Sequence, residues 1–174
     1  LMADNWLAKM RILLPSISDN DFGNIDVFTG SHAILEELTG FHVHRGALAE
    51  MIRPAPLSLD SALDGARRVV VLEDIVDHTN VGAIFRAAAG LGIDAILVTP
   101  ECADPLYRRS IRVSMGAVFT VPWARVPQWP TSIKELKEKG YYTVAISPQN
   151  ISGQESQDLR KFVAGPLDRV ALIL

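Results

Sequence analysis

The segment Arg169-Val170-Ala171-Leu172-Ile173-Leu174 ends in five consecutive apolar residues. A strand with no polar residue on either side of its pleat has to be buried on both faces. An inner strand of a parallel sheet, covered by helices on both sides, meets that condition. The preceding hundred residues repeat the theme. Arg68-Val69-Val70-Val71-Leu72 is β-branched and stops at Glu73-Asp74, and Ala95-Ile96-Leu97-Val98 stops at Thr99-Pro100. A short strand is expected near Val118 to Val121, ending at Pro122, and another from Tyr141 to Ile146, stopping at Ser147-Pro148. Between these runs the apolar spacing becomes helical. Asn80 stands in N-cap position before Val81, Ile84, Phe85 and Ala88, with Gly90 or Gly92 as the stop. Further helices are predicted around Leu106 to Val113 and from Thr131 to Lys139, the latter capped by Gly140. Strands alternating with helices of this length specify an α/β fold, a parallel sheet with flanking helices and right-handed crossovers.

The N-terminal third reads differently. A helix is expected from His32 to Leu38, stopped by Gly40, and a second from Gly46 to Met51. The proline-bracketed stretch Arg53-Pro54-Ala55-Pro56-Leu57 suits a linker. The expected organisation is a partial small α/β module with its linker over residues 1–57 and the main α/β domain over 58–174. The chain begins with Leu1 instead of methionine and ends in a strand of the buried type, so a piece of a longer protein is expected.

Composition narrows the functional classes. With 17 basic and 20 acidic side chains the formal net charge is -3, which argues against coating nucleic acid by bulk charge but leaves room for a local basic patch. The single cysteine, Cys102, precludes an intrachain disulfide and a thiolate zinc cluster. No metal site, transmembrane span or export signal is read, and a cytoplasmic location is expected.

Three groups of residues could carry chemistry. Gly90-Leu91-Gly92-Ile93-Asp94-Ala95 has the glycine spacing of a dinucleotide-binding loop. Such a loop opens a helix after a strand, whereas these glycines close a helix and lead into a strand. Asn80 and Arg86 share one otherwise apolar helix whose start faces the carboxyl edge of the sheet, where open α/β folds bind ligands. The same residues also suit a plain N-cap and an arginine snorkelling from an apolar helix. Arg108, Arg109 and Arg112 lie within two helical turns, so they could form a phosphate-binding face with Tyr107 as a stacking ring, or simply a solvated helix face. Ser114-Met115-Gly116-Ala117 is a tight passage in which Gly116 would permit close backbone approach, either to a ligand or merely to its neighbours. In an extended Phe41-His42-Val43-His44-Arg45, both histidines share a polar face that could touch RNA or merely solvent. Cys102 has no basic partner in the sequence and is expected to be inert.

Asn80-Val81-Gly82-Ala83-Ile84-Phe85-Arg86 resembles the first motif of the SpoU (TrmH) family of RNA ribose 2'-O-methyltransferases, in the SPOUT superfamily, and Arg112-Val113-Ser114-Met115-Gly116-Ala117 resembles its second. Thr39 to Ala49 is similar to the end of the substrate-recognition domain of members acting on ribosomal RNA, which implies RNA contacts by His44 and Arg45. The resemblance runs from about Val27 to the chain end. It implies an alpha/beta knot domain, a homodimer, S-adenosylmethionine as cofactor, and RNA as partner, with ribosomal RNA favoured over tRNA and a non-catalytic RNA-binding role as the alternative. By resemblance Arg86 and Asn80 are catalytic, Ser114 and Gly116 belong to the second motif near dimer interface and knot, and Ser147 is a cofactor contact. The third motif, with the knot and the remaining cofactor loops, is not in this sequence. The resemblance therefore implies activity in the parent protein and not in this fragment.

Overall fold

The computed structural model describes residues 30–40, 42, 53–147, 156, 158, 162 and 167–174. The chain divides into two compact units, 1–53 and 54–174. In the first, α1 (His32–Thr39) forms because Ser31 Oγ accepts from the Ile34 N–H, and it ends where Gly40 turns left-handed at φ 69° and donates its N–H to the Glu36 carbonyl. His44, Arg45 and the helix expected at Gly46 to Met51 lie outside the described residues.

The second unit carries the sheet. In chain order its elements are α2 (Leu59–Leu63), β1 (Arg68–Leu72), α3 (His78–Leu91), β2 (Ala95–Val98), α4 (Arg108–Val113), a 3-10 turn at Ala117–Phe119, β3 (Trp123–Arg125), α5 (Ser132–Glu138), β4 (Tyr142–Ala145) and β5 (Val170–Ile173). The five strands run in the order β3-β2-β1-β5-β4, and every neighbouring pair is parallel. Val69 is level with Ala95 on one side and with Ala171 on the other, which sets the central register. The all-apolar run near the C-terminus is thus an inner strand, as its lack of alternation requires.

Alternate residues of β1 divide the core into two layers. Val69 and Val71 join Ala62, Leu63, Leu97, Leu136 and Ala171 under α2 and α5. Val70 and Leu72 join Val81, Phe85, Ala88, Ile96 and Val98 under α3. Phe85 is fully buried and meets Trp123 edge-on at 6.2 Å. Burial of a side chain of that size contributes about 1.5–3 kcal/mol. The crossovers through α3 and α4 step from β1 to β2 to β3 on one face, whereas α5 covers the opposite face on the way from β3 to β4. The chain therefore reverses direction between β1 and β5, and the strand ends there are the place where an open α/β sheet receives a ligand.

Two local expectations are corrected. Val118 to Val121 does not form a strand. Gly116 enters the left-handed region and the next residues wind into the 3-10 turn, burying Ala117 and Val118, and β3 follows only after Pro122. Trp123 fixes the turn by donating its indole N–H to the Val118 carbonyl at 3.1 Å. The other correction concerns the start of α3. Asp77, not Asn80, is its N-cap.

Candidate active site

Asp77 has extended backbone, and its carboxylate accepts from the N–H groups of Thr79 at 2.7 Å and Asn80 at 2.9 Å. The Asn80 N–H holds the Asp77 carboxyl below the usual carboxylate range, with further help from Thr79 and from the positive charge of Arg109. An aspartate caps as well as an asparagine and also complements the helix dipole, which explains why the start lies three residues earlier than expected. The functional consequence is that the Asn80 side chain is not consumed by capping. It sits exposed in the first turn, and its amide makes no hydrogen bond to another described residue.

Gly82 explains how the two sequence motifs meet. It is buried on α3, and a Cβ at this position would come within 2.6 Å of the Ser110 carbonyl oxygen, 2.9 Å of Val113 Cβ and 3.1 Å of the Ser114 nitrogen. Only a glycine allows α4 to cross α3 at this distance. The α4 side is built to match. Ser110 and Ser114 are buried, and their hydroxyls donate to the carbonyls of Asp104 at 3.1 Å and Ile111 at 2.9 Å. Ser114 therefore serves as a small, satisfied packing residue at the crossing. At Gly116 no other part of the chain lies within 4 Å of a Cβ built there, so it is not packed against a neighbour, and its φ of 89° is what calls for glycine. Met115 before it is also left-handed, at φ 54°, and its side chain is 75% exposed.

Arg86 lies one turn beyond Gly82, so helical periodicity places it on the stripe that faces α4. Its guanidinium is exposed and has no hydrogen bond or ion pair to another described residue. Asn80 and Arg86 project from α3 about 120° apart, so a substrate meeting both must reach over the top of the helix. Arg108, Arg109 and Arg112 are all exposed and fall within one sector of α4 about 100° wide. Arg108 and Arg112 are an i, i+4 pair of like charge, a spacing that costs a few tenths of a kcal/mol in the absence of an anion, about 0.2–0.5 kcal/mol.

Contacts between distant segments stiffen the loops that lead into α3 and α4. Thr99, fully buried, donates its hydroxyl to Asp74 Oδ1 at 2.8 Å and accepts from the Asp74 N–H at 2.9 Å. Cys102 is buried, donates to the Leu72 carbonyl at 3.0 Å and accepts from the Ile75 N–H at 3.3 Å, which makes it a packing residue. Arg125 Nη1 reaches the carbonyls of Thr99, Pro100 and Cys102 at 2.7, 3.0 and 3.2 Å. Asp77, Thr99 and Arg125 carry their contacts without a motif of their own in the sequence. A polar residue just ahead of Thr79 and Asn80 was the available signal for Asp77. The other two act across 23 to 26 residues and leave no local pattern. His78 and Tyr107, at the starts of α3 and α4, bring their rings to a centroid distance of 4.1 Å.

The remaining predicted site residue, Ser147, is exposed just past β4. There the Ile146 N–H donates to the Ile173 carbonyl at 2.8 Å, so the ends of β4 and β5 lie side by side. S-adenosylmethionine needs an apolar slot, a partner for its ribose and an opposite charge for its ends. The Ser147 hydroxyl and the half-buried Leu174 suit the first two needs, while the carboxylate after β1, Glu73, is engaged by the Trp129 indole N–H at 2.6 Å. Among the described residues there is no group of three His, Cys, Asp or Glu side chains placed to hold a metal ion, and no helix is long and apolar enough to cross a membrane.

Comparison with known proteins bears on this arrangement. Residues 67–174 match the SpoU rRNA Methylase family. An uncharacterized tRNA/rRNA methyltransferase, Rv0881, of Mycobacterium tuberculosis (strain ATCC 25618 / H37Rv) is 42% identical over 147 residues, covering 84% of this chain and 50% of that protein. The 23S rRNA (guanosine-2'-O-)-methyltransferase RlmB of Bordetella pertussis is 30% identical over 126 residues, 70% of this chain and 51% of its own. Among solved structures, the AdoMet-bound rRNA methyltransferase from Sinorhizobium meliloti superposes with a TM-score of 0.56 at 27% identity, over 70% of this chain and 43% of that one. The chain spans about half the length of the relatives it matches.

Proposed function

Since the chain belongs to the SpoU rRNA methylase family, we propose that it is part of an enzyme that methylates a ribose 2'-hydroxyl of RNA, with S-adenosylmethionine as donor. The observation that carries this reading is the crossing at Gly82, which joins the Asn80–Arg86 helix to the Arg108–Arg112 helix and leaves the Asn80 amide and the Arg86 guanidinium exposed beside it. Ribosomal RNA is the favoured substrate, supported by the name of the Bordetella relative, while the tRNA/rRNA names of other relatives keep tRNA as the second reading. A homodimer and a cytoplasmic location go with this proposal.

A ribose hydroxyl is a weak nucleophile, so its position and the fate of its proton control the rate. Arg86 is suited to donating hydrogen bonds and not to acting as the base, because a guanidinium presents only N–H donors. Its planar fork instead orients the 2'-oxygen and an adjacent phosphate, two acceptors at a spacing that a bidentate donor can bridge. Asn80 offers both an amide donor and an acceptor to the same nucleotide from the first turn of α3. Ser147 and the end of β5 would hold part of the cofactor, which when bound supplies an electrophilic methyl group.

The deciding experiment is transfer of labelled methyl from S-adenosylmethionine to total cellular RNA by the complete protein, followed by alkaline hydrolysis. Label in alkali-resistant dinucleotides is the expected outcome. Label on bases, or none, would overturn the proposed chemistry.

A further inference from the structure

We propose that the ring pair of His78 and Tyr107 is a stacking platform for an unpaired nucleobase of the RNA, next to the nucleotide that is methylated. The proposal rests on the reading of the chain as part of an RNA methyltransferase and adds to it the form of RNA the site accepts. The two rings lie 4.1 Å apart at an interplanar angle of 41°. Tyr107 is 50% exposed and His78 half-buried, so the pair is partly held by the fold and partly accessible to a ligand. Neither the Tyr107 hydroxyl nor a ring nitrogen of His78 has a hydrogen-bond partner among the described residues. Aromatic side chains placed only to pack are covered and bond their polar atoms; this pair is partly open to solvent and its polar atoms are unbonded among the described residues.

The surroundings match a nucleotide. Arg108 and Arg109 follow Tyr107 directly and stand exposed, so a base on the rings would have its phosphates beside two guanidinium groups. Asn80 is two residues beyond His78, in the same first turn of α3. The one carboxylate at this helix start, Asp77, faces the Thr79 and Asn80 N–H groups and the charge of Arg109, which moderates its repulsion of phosphate. A base inside a duplex is already stacked on its neighbours and cannot reach a side-chain ring, so the platform selects a loop, bulge or single strand.

A structural clamp between the two helix starts would give the same ring distance, and binding separates the alternatives. The probe is a single-stranded RNA of about ten nucleotides with 2-aminopurine at one position, titrated with the complete protein. Wild type is expected to quench the 2-aminopurine emission, and to do so less when the same strand is annealed to its complement. Tyr107→Leu should weaken binding about tenfold and abolish the quench with an unchanged melting temperature, while Tyr107→Phe keeps both. Binding and quenching by Tyr107→Leu equal to wild type would overturn the platform and leave the methyltransferase reading intact. Failure of wild type to bind any RNA would overturn that reading and the platform together. If Tyr107→Leu does not fold, Tyr107→Trp decides the matter. Quenching by RNA of its emission in excess of wild type supports the platform, and unaltered emission overturns it.

Discussion

Asp77 and Arg86 illustrate how differently single residues contribute to the same helix. The Asp77 carboxyl is held below its ordinary value by the Asn80 N–H, so the ionised form stabilises the folded state. That contribution is fully present above the unfolded value, near pH 4, and is lost as the pH falls through the lower folded value. Asp77→Asn keeps a capping oxygen but does not titrate. Its unfolding free energy in urea should therefore show less loss than wild type between about pH 4 and pH 2. Asp77→Ala removes the cap and should lower the melting temperature at neutral pH, with Asp77→Asn between it and wild type. Arg86 is exposed and makes no hydrogen bond or ion pair to another described residue, so the fold does not depend on its guanidinium. Arg86→Lys keeps the charge and loses the planar fork, so we expect turnover to fall at least tenfold with an unchanged melting temperature. Near-wild-type turnover would remove Arg86 from the role of orienting the hydroxyl.

At the scale of elements, the crossing of α3 and α4 is the most demanding contact. A methyl group at residue 82 would press on the Ser110 backbone carbonyl at 2.6 Å, an atom that cannot rotate away. Gly82→Ala should therefore destabilise the unit by about 1–3 kcal/mol in urea denaturation, and displacement of α4 should lower RNA methylation by more than the lost stability explains. The elements also show what a linear pattern can reveal. β2 at Ala95–Val98 and α1 ending at Gly40 follow from apolar run and left-handed glycine alone. Ala117 to Val121 is apolar at the positions that a strand or a tight turn would both bury, and only the left-handed Gly116 and the indole bond from Trp123 select the turn. Likewise Asp77 and Asn80 are both good caps, and the choice between them depends on backbone geometry set by Asp74, Thr99 and Cys102. Arg86, Asn80 and the arginines of α4 could be picked out by residue type and spacing. That Gly82 is the point where they are joined is a tertiary fact.

For the whole molecule, net charge and local charge point in opposite directions. A chain of formal charge -3 does not attract RNA at long range, so under the proposed function affinity depends on local patches, of which Arg108, Arg109 and Arg112 in one sector of α4 are the candidate. Replacing all three with alanine should reduce the slope of log affinity against log salt by about 2 for a single strand, at roughly 0.7 per phosphate contact. An unchanged slope would retire the patch. The strand order has another consequence, in time. β1 pairs with β5, about a hundred residues later in the chain, as well as with β2. During synthesis at about 5–20 residues per second, β1 to β3 can assemble while the far side of β1 waits several seconds for its partner to emerge. Through that interval the nascent protein carries an open, strongly apolar edge, and its yield in a cell depends on whether a chaperone or another chain finds that edge first.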